Sequence, residues 1–261
     1  MATRLQSAVR QYRFQQELTR LGLAQADRSW GNRNFSVLVA LLIYLQREAA
    51  VGAFASVDEM LQEQSVEAPL AAAPVASALA GWTSAGVPME SMITAVQSLT
   101  DLYQAVVTQI ADTGRIAQGI SIAARPQLDG YVRYLNPPSC ARCSVLAGRF
   151  YPYSIGFLRH ENCDCIMQSV TEEMADGLID DPMDLFKRGL IKGLTGAEIE
   201  AINEGADIAQ VVNIRRKSAG LRVAGHVLER GGRLTPEGIY RLASDRSEVL
   251  SLLIRNGYLA A

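Results

Sequence analysis

Four cysteines and one histidine within twenty-six residues are the groups in this chain best able to do chemistry: Cys140, Cys143, His160, Cys163 and Cys165. A Cys-x-x-Cys turn aims two thiolates at one point, and His-x-x-Cys-x-Cys offers three more donors sixteen residues later. These spacings are close to the pairings that make tetrahedral zinc sites, which need only four ligands. The expected set is Cys140, Cys143, Cys163 and Cys165. His160 either replaces one of them or donates a hydrogen bond to a thiolate. The Cys-x-Cys pair converges only if the backbone between its members turns tightly. Other readings stay open: reduced cysteines packed as small apolar groups, two disulfides in an oxidising medium, or a cysteine nucleophile served by His160. A redox Cys-x-x-Cys fits less well, because Pro137-Pro138 leads into it instead of a strand.

Peptidase signatures are incomplete. His160-Glu161 begins like His-Glu-x-x-His, but position 164 is Asp, and Gly119-Ile-Ser121-Ile-Ala123 lacks the final glycine of the nucleophile elbow. Asp112-Thr113-Gly114 occurs once, where a shared-proton carboxylate pair needs two copies, and it reads as the end of a helix capped by Gly114. Ser121, Ser144, Ser154, Ser169 and Ser218 are all conceivable nucleophiles, with His160 or His226 as base, so the sequence selects none. Nothing identifies a catalytic residue. A phosphate-binding Walker loop and a dinucleotide glycine pattern are both missing.

Around this segment the texture is helical. Up to about Ile122 the apolar positions recur at three-four spacing, predicting helices over about 3–21, ending near Gly22, and about 34–50. A short helix from Ser56 with a Ser56/Glu59 capping box should follow, and then one helix over 89–110. The stretch 69–74 reads as loop. From Thr171 onward come a helix at Pro182, one capped by Thr195 over 197–203, and short helices near 236–243 and 247–256. The expected architecture is therefore mainly α. It comprises a helical domain at 1–124, a small Cys/His-stapled module at 125–170, and an arm of short helices at 171–261.

The 261 residues are 49% hydrophobic and 20% charged, with 25 Lys and Arg against 27 Asp and Glu. That balance excludes a uniformly basic nucleic-acid coat and an acidic solvating chain. The longest apolar run, Phe35 to Leu45, is short of the roughly 20 residues of a spanning helix, so no membrane contact is expected. The N-terminal stretch lacks a secretory pattern, and a cytosolic protein is expected. Local positive charge gathers at Arg215, Arg216, Lys217 and Arg222, followed by Arg230 and Arg233. These could meet nucleic acid or an acidic partner, although no aromatic residues interleave for stacking.

The stretch from Gly130 to Cys143 (GYVRYLNPPSCARC), then Leu146-Ala-Gly148, Gly156-Phe157 and Arg159-His160 to Cys163-Asp-Cys165, resembles the Cys/His core of the MuF-like phage head morphogenesis proteins of actinobacterial tailed phages. Gly205 to Asn213 (GADIAQVVN), Arg233 to Tyr240 (RLTPEGIY) and Asn256-Gly-Tyr258 are similar to the same family, so the resemblance runs from about Arg125 to the C-terminus. Where the family has Pro after the histidine, this chain has Glu161. The resemblance implies a minor capsid protein, made in the host cytoplasm, that acts in procapsid assembly near the portal and resides in the procapsid or virion head. Its partners would be portal, scaffold or major capsid protein. It also implies two alternatives: a capsid maturation protease cutting scaffold or capsid protein, and an internal head protein that contacts DNA.

Overall fold

The computed structural model describes residues 4–154, 157, 163–214, 221–223, 226–230, 233–234, 239 and 242–256. The chain is mainly α-helical, as its periodicity predicts. Its contacts divide it into a larger unit, Ala2–Asn136 with Arg149–Ile179, and a smaller one, Pro137–Gly148 with Asp180–Ala261. Most of the segment 125–170 belongs with the helices that precede it, because its strands have no core of their own.

In the larger unit α1 (Gln6–Asn32), α2 (Ser36–Glu63) and α4 (Leu99–Ala123) pack on one another, with short α3 (Met89–Thr94) beside α2. Leu18, Leu38, Leu42, Leu45, Ile93, Leu102, Val106 and Ile110 form one buried cluster. Removing this much apolar surface from water is the main stabilising term. Several helix ends differ from the sequence expectation. Gly22 does not stop α1; a Cβ there would lie 2.7 Å from Cγ1 of Val106, so its lack of a side chain admits α4 at close range. The stop is instead Arg33, which takes the left-handed conformation (φ 52) and stacks its guanidinium on Trp30 at 4.3 Å. Ser56 opens no new helix, because it is buried inside α2 with its hydroxyl donating to the Ala53 carbonyl at 2.8 Å. The expected helix over 89–110 is two helices. Ser98 accepts the Asp101 N–H at 3.1 Å and caps α4 afresh.

Because α2 runs on to Glu63, it is long and apolar enough, by length and composition alone, to cross a membrane. The sequence expectation weighed only the uninterrupted apolar run Phe35 to Leu45, whereas the helix that contains it extends through Glu63. In this fold Leu38, Leu42 and Leu45 of α2 lie in the helical core. At its middle the buried Gln46 spends its amide fully, donating to the Trp82 carbonyl and the Thr113 hydroxyl and accepting the Gly81 N–H.

The end of α2 also caps the start of α1, which has no side-chain cap of its own. Glu63 accepts the N–H of Gln6 at 2.7 Å, the N–H of Ser7 at 2.9 Å and the Ser7 hydroxyl at 2.8 Å. Burial alone would raise the Glu63 carboxyl, but these hydrogen bonds outweigh it and hold it below the ordinary 4.5. A depressed carboxylate contributes stability that is present above its unfolded pKa and lost as pH falls through its folded one. Acidification below pH 4.5 should therefore fray the first turn of α1, seen as faster amide exchange at Gln6 and Ser7. Glu63→Gln should show that fast exchange already at neutral pH.

Three antiparallel strands complete the larger unit in the order β3 (Phe150–Pro152), β1 (Gly130–Tyr134), β4 (Ile166–Val170). All five residues of both β1 and β4 are buried. Val132, Tyr134, Ile166 and Val170 pack with Leu5, Ala8, Tyr12 and Met60 of the helical layer. Gly130 is required where β1 meets β3, since a Cβ would fall 2.0 Å from the Tyr151 carbonyl oxygen. Helix side chains reach β4 directly. Gln118 donates to the Met167 carbonyl at 2.9 Å and accepts the Met167 N–H at 3.1 Å, and Gln64 donates to the Ser169 carbonyl at 2.9 Å.

The smaller unit contains β2 (Ser139–Cys140), paired in parallel with β5 (Ile191–Lys192), and four short helices: α5 (Ala141–Leu146), α6 (Pro182–Lys187), α7 (Gly196–Asn203) and α8 (Ile208–Asn213). Ala141, Ala201, Ile202, Val211 and Val212 share its core. Asp181, Thr195 and Asp207 cap their helices, Thr195 in a reciprocal box with Glu198. The C-terminal part is not purely helical as expected. Strands β6 (Leu221–Val223), β7 (His226–Arg230) and β8 (Arg233–Leu234) form an antiparallel sheet before α9 (Arg246–Arg255). Of the helix expected over 236–243, most lies outside the described residues.

Candidate functional site

Cys163 and Cys165 flank Asp164 immediately before β4, and three helix- or strand-borne side chains fix that tripeptide. Arg115 of α4 donates from both terminal nitrogens to the Cys163 carbonyl, each at 3.1 Å. Arg133 of β1 directs Nη1 at Cys163 Sγ, 3.8 Å away. Tyr12 of α1 donates its hydroxyl to Asp164 Oδ2 and accepts from Asn136 Nδ2 at 3.2 Å. Burial, reinforced by the Asp164 carboxylate, pushes the Tyr12 phenol well up, so it stays protonated and keeps donating. Both guanidiniums also cover the Phe157 ring, Arg133 at 3.8 Å and Arg115 at 5.2 Å from its centroid.

Arg115 is itself anchored. It pairs with Asp112, one turn back on α4, at 3.1 Å, with the two side chains only 3% and 5% exposed. Ser84 donates its hydroxyl to the other Asp112 oxygen at 2.8 Å. The Asp112-Thr113-Gly114 triplet therefore does not end a helix as expected but lies inside α4. A guanidinium meets its carboxylate where peptidase chemistry would need a second carboxylate.

Cys140 is the N-cap of α5, and its Sγ accepts the Cys143 N–H at 3.3 Å, the local turn that Cys-x-x-Cys spacing predicts. Cys163 and Cys165 are buried in the larger unit and Cys143 is buried in the smaller one, so three of the four expected ligands are shielded from solvent. Cys140 is half-buried. His160 lies outside the described residues, as do Arg215, Arg216 and Lys217, while Arg222 stands in β6. Thiolate donors suit zinc or another thiophilic ion, and the Arg133 guanidinium beside Cys163 offsets negative charge gathered on sulfur.

Two of the conceivable serine nucleophiles are engaged structurally: Ser121 accepts from Arg125 Nη1, and Ser144 donates to the Cys140 carbonyl at 3.1 Å. Ser218 lies outside the described residues. Sequence reasoning missed Tyr12, Arg115 and Arg133, the residues that hold the cysteine segment, and Gln118, which holds Met167 in the strand after it. One signal was present: Asp112 and Arg115 sit one turn apart as the two charged residues of the stretch 102–123, which marks a charged pair facing inward. Comparison with protein-family models, with curated proteins and with solved structures finds no match to this chain.

Proposed function

We propose that this chain is a MuF-like head morphogenesis protein, a minor capsid component that acts near the portal during procapsid assembly and whose cysteines bind zinc structurally. The observation that supports the zinc reading is the buried pair Cys163 and Cys165, two residues apart, with Cys163 held by two arginines. A thiol serving as nucleophile must meet substrate, whereas these are shielded by their own fold, as structural ligands are. Cys140 is the fourth ligand in this reading, as the partner of Cys143 in the Cys-x-x-Cys turn, where its sulfur accepts the Cys143 N–H. His160 is the alternative fourth ligand. The assembly role rests on the resemblance from Gly130 to Cys165 and is consistent with apolar side chains left exposed on α2, among them Val37, Tyr44 and Val51.

Co-expression with the portal, scaffold and major capsid proteins encoded beside it tests the role. The chain should sediment with procapsids, and its omission should lower the yield of closed heads while leaving scaffold and capsid protein at full length. Shortened scaffold that depends on this chain would instead establish the capsid maturation protease. Procapsids of unchanged number and composition without it would reject assembly altogether. Salt-sensitive retention on DNA, lost on neutralising Arg215, Arg216 and Lys217, would favour the DNA-contacting reading.

A further inference from the structure

The outward face of α2 is apolar where a helix facing water ordinarily carries charge. Over positions 36–55 it presents Val37, Ala40, Ile43, Tyr44, Val51 and Ala55, all exposed, with Val37 and Tyr44 more than half so. The inward side of the same stretch carries Leu38, Leu42, Leu45 and Ala49. The helix is therefore apolar all round, a pattern that belongs to helices covered on every side. Yet only 39% of an apolar 18-residue stretch within α2 is buried. The face ends at Asp58, Glu59 and Gln62, which return it to a polar surface.

Two charges interrupt this face, Arg47 and Glu48, adjacent and opposite in sign. Neither side chain has an ion-pair or hydrogen-bond partner among the described residues. The positions three and four away on either side, which could pair with them along the helix, are all uncharged. The pattern is complementary to itself. When a second α2 lies antiparallel across the face, about a two-fold axis passing between positions 47 and 48, Arg47 of each copy meets Glu48 of the other. The same symmetry sets Tyr44 opposite Val51, and Ala40 opposite Ala55, where small side chains let the helices approach. It also brings Ile43 over Gly52, where a Cβ would collide with the Phe14 ring of α1, so that ring already stands ready to receive it. A parallel pair would instead set Arg47 against Arg47 and bring the acidic ends of the two helices side by side.

We infer that α2 is a contact between two copies of this chain, an isologous antiparallel helix pair with reciprocal Arg47–Glu48 ion pairs at its axis. The inference does not depend on the capsid assignment. Twenty residues at 1.5 Å each make a contact about 30 Å long. That is at the small end of specific interfaces, so the dimer is reversible, with a dissociation constant on the order of 10 μM.

Sedimentation equilibrium of the full-length protein, from about 1 to about 100 μM, brackets that constant. Mostly monomer at the lower end and mostly dimer at the upper end are expected. Val51→Glu sets a carboxylate against Tyr44 and should leave a monomer throughout, with an unchanged far-ultraviolet circular dichroism spectrum because position 51 faces solvent in the single chain. Arg47→Glu should raise the dissociation constant at least about tenfold, since like charges then meet twice. The double variant Arg47→Glu/Glu48→Arg should bring it back near the wild-type value, a rescue that follows only when 47 and 48 face each other across the contact. Wild-type protein that stays monomeric overturns the inference, and flotation of that monomer with phosphatidylcholine vesicles would assign the face to lipid. Dimers that persist in Val51→Glu overturn it too, as do dimers indifferent to Arg47→Glu or not rescued by the double variant.

Discussion

Serine at any one of Cys143, Cys163 or Cys165 is expected to take bound zinc from about one ion per chain to near zero, because each removes one of the proposed thiolate ligands. The measurement is metal content by atomic emission, with a parallel thiol titration, on protein purified without chelator or reductant. Wild-type protein should show few reactive thiols until chelator is added, and the variants should melt early whether or not chelator is present. Arg133 separates a metal site from mere thiol packing. Its Nη1 donates toward Cys163 Sγ, and support of this kind is worth about 10- to 100-fold in metal affinity. Arg133→Met should weaken zinc by that factor when affinity is read by competition with a chromogenic chelator. Wild-type protein with no metal and four titratable thiols would refute the site. Cys140→Ser compared with His160→Ala identifies the fourth ligand: the variant that loses zinc names it.

Arg115→Met is expected to destabilise the fold by about 3–5 kcal/mol in urea denaturation, the usual cost of removing one member of a buried ion pair. The magnitude follows from three simultaneous losses. Asp112 keeps its burial but loses its cation, the Cys163 carbonyl loses two donors, and Phe157 loses a guanidinium from its face. The first loss should dominate, since an uncompensated buried charge is the costliest of the three. The double variant Asp112→Asn/Arg115→Met should therefore recover more than half of the deficit, giving a coupling that two independent sites would not show. A single variant within about 0.5 kcal/mol of wild type would mean that water reaches the pair.

How much of this was legible beforehand depended on whether a residue's role is decided by its neighbours in sequence or by those brought to it by folding. The three-four spacing marks the helices because it reflects one buried face, and the Thr195 cap is read correctly because every partner lies within three residues. Gly22 fails for the opposite reason. Locally it is an ordinary terminator, and only the arrival of Val106 shows that the missing side chain makes room for a helix. The break before α4 could have been read, since Ser98 with Asp101 three residues on is a start signal inside an otherwise continuous apolar pattern. The cysteine spacing marked out the segment, yet the residues that fix Cys163 come from positions 115 and 133, and Tyr12, which holds Asp164, stands some 150 residues away in the chain. Arginine at such positions looks like surface until the helix that buries it is in place.

The amides that reach β4 have a further consequence. In the order β3-β1-β4 this strand is an outer one, and its unpaired backbone groups would ordinarily invite another polypeptide to add on. Gln118 occupies both backbone groups of Met167, Gln64 takes the Ser169 carbonyl, and the Met60 sulfur lies 3.4 Å from the Ser169 N–H. Two glutamines and a methionine thus imitate the next strand, and the ladder ends there. Any self-association of this protein must proceed through side-chain surfaces instead of through growth of the sheet along β4, which keeps a concentrated pool of it from polymerising by that route.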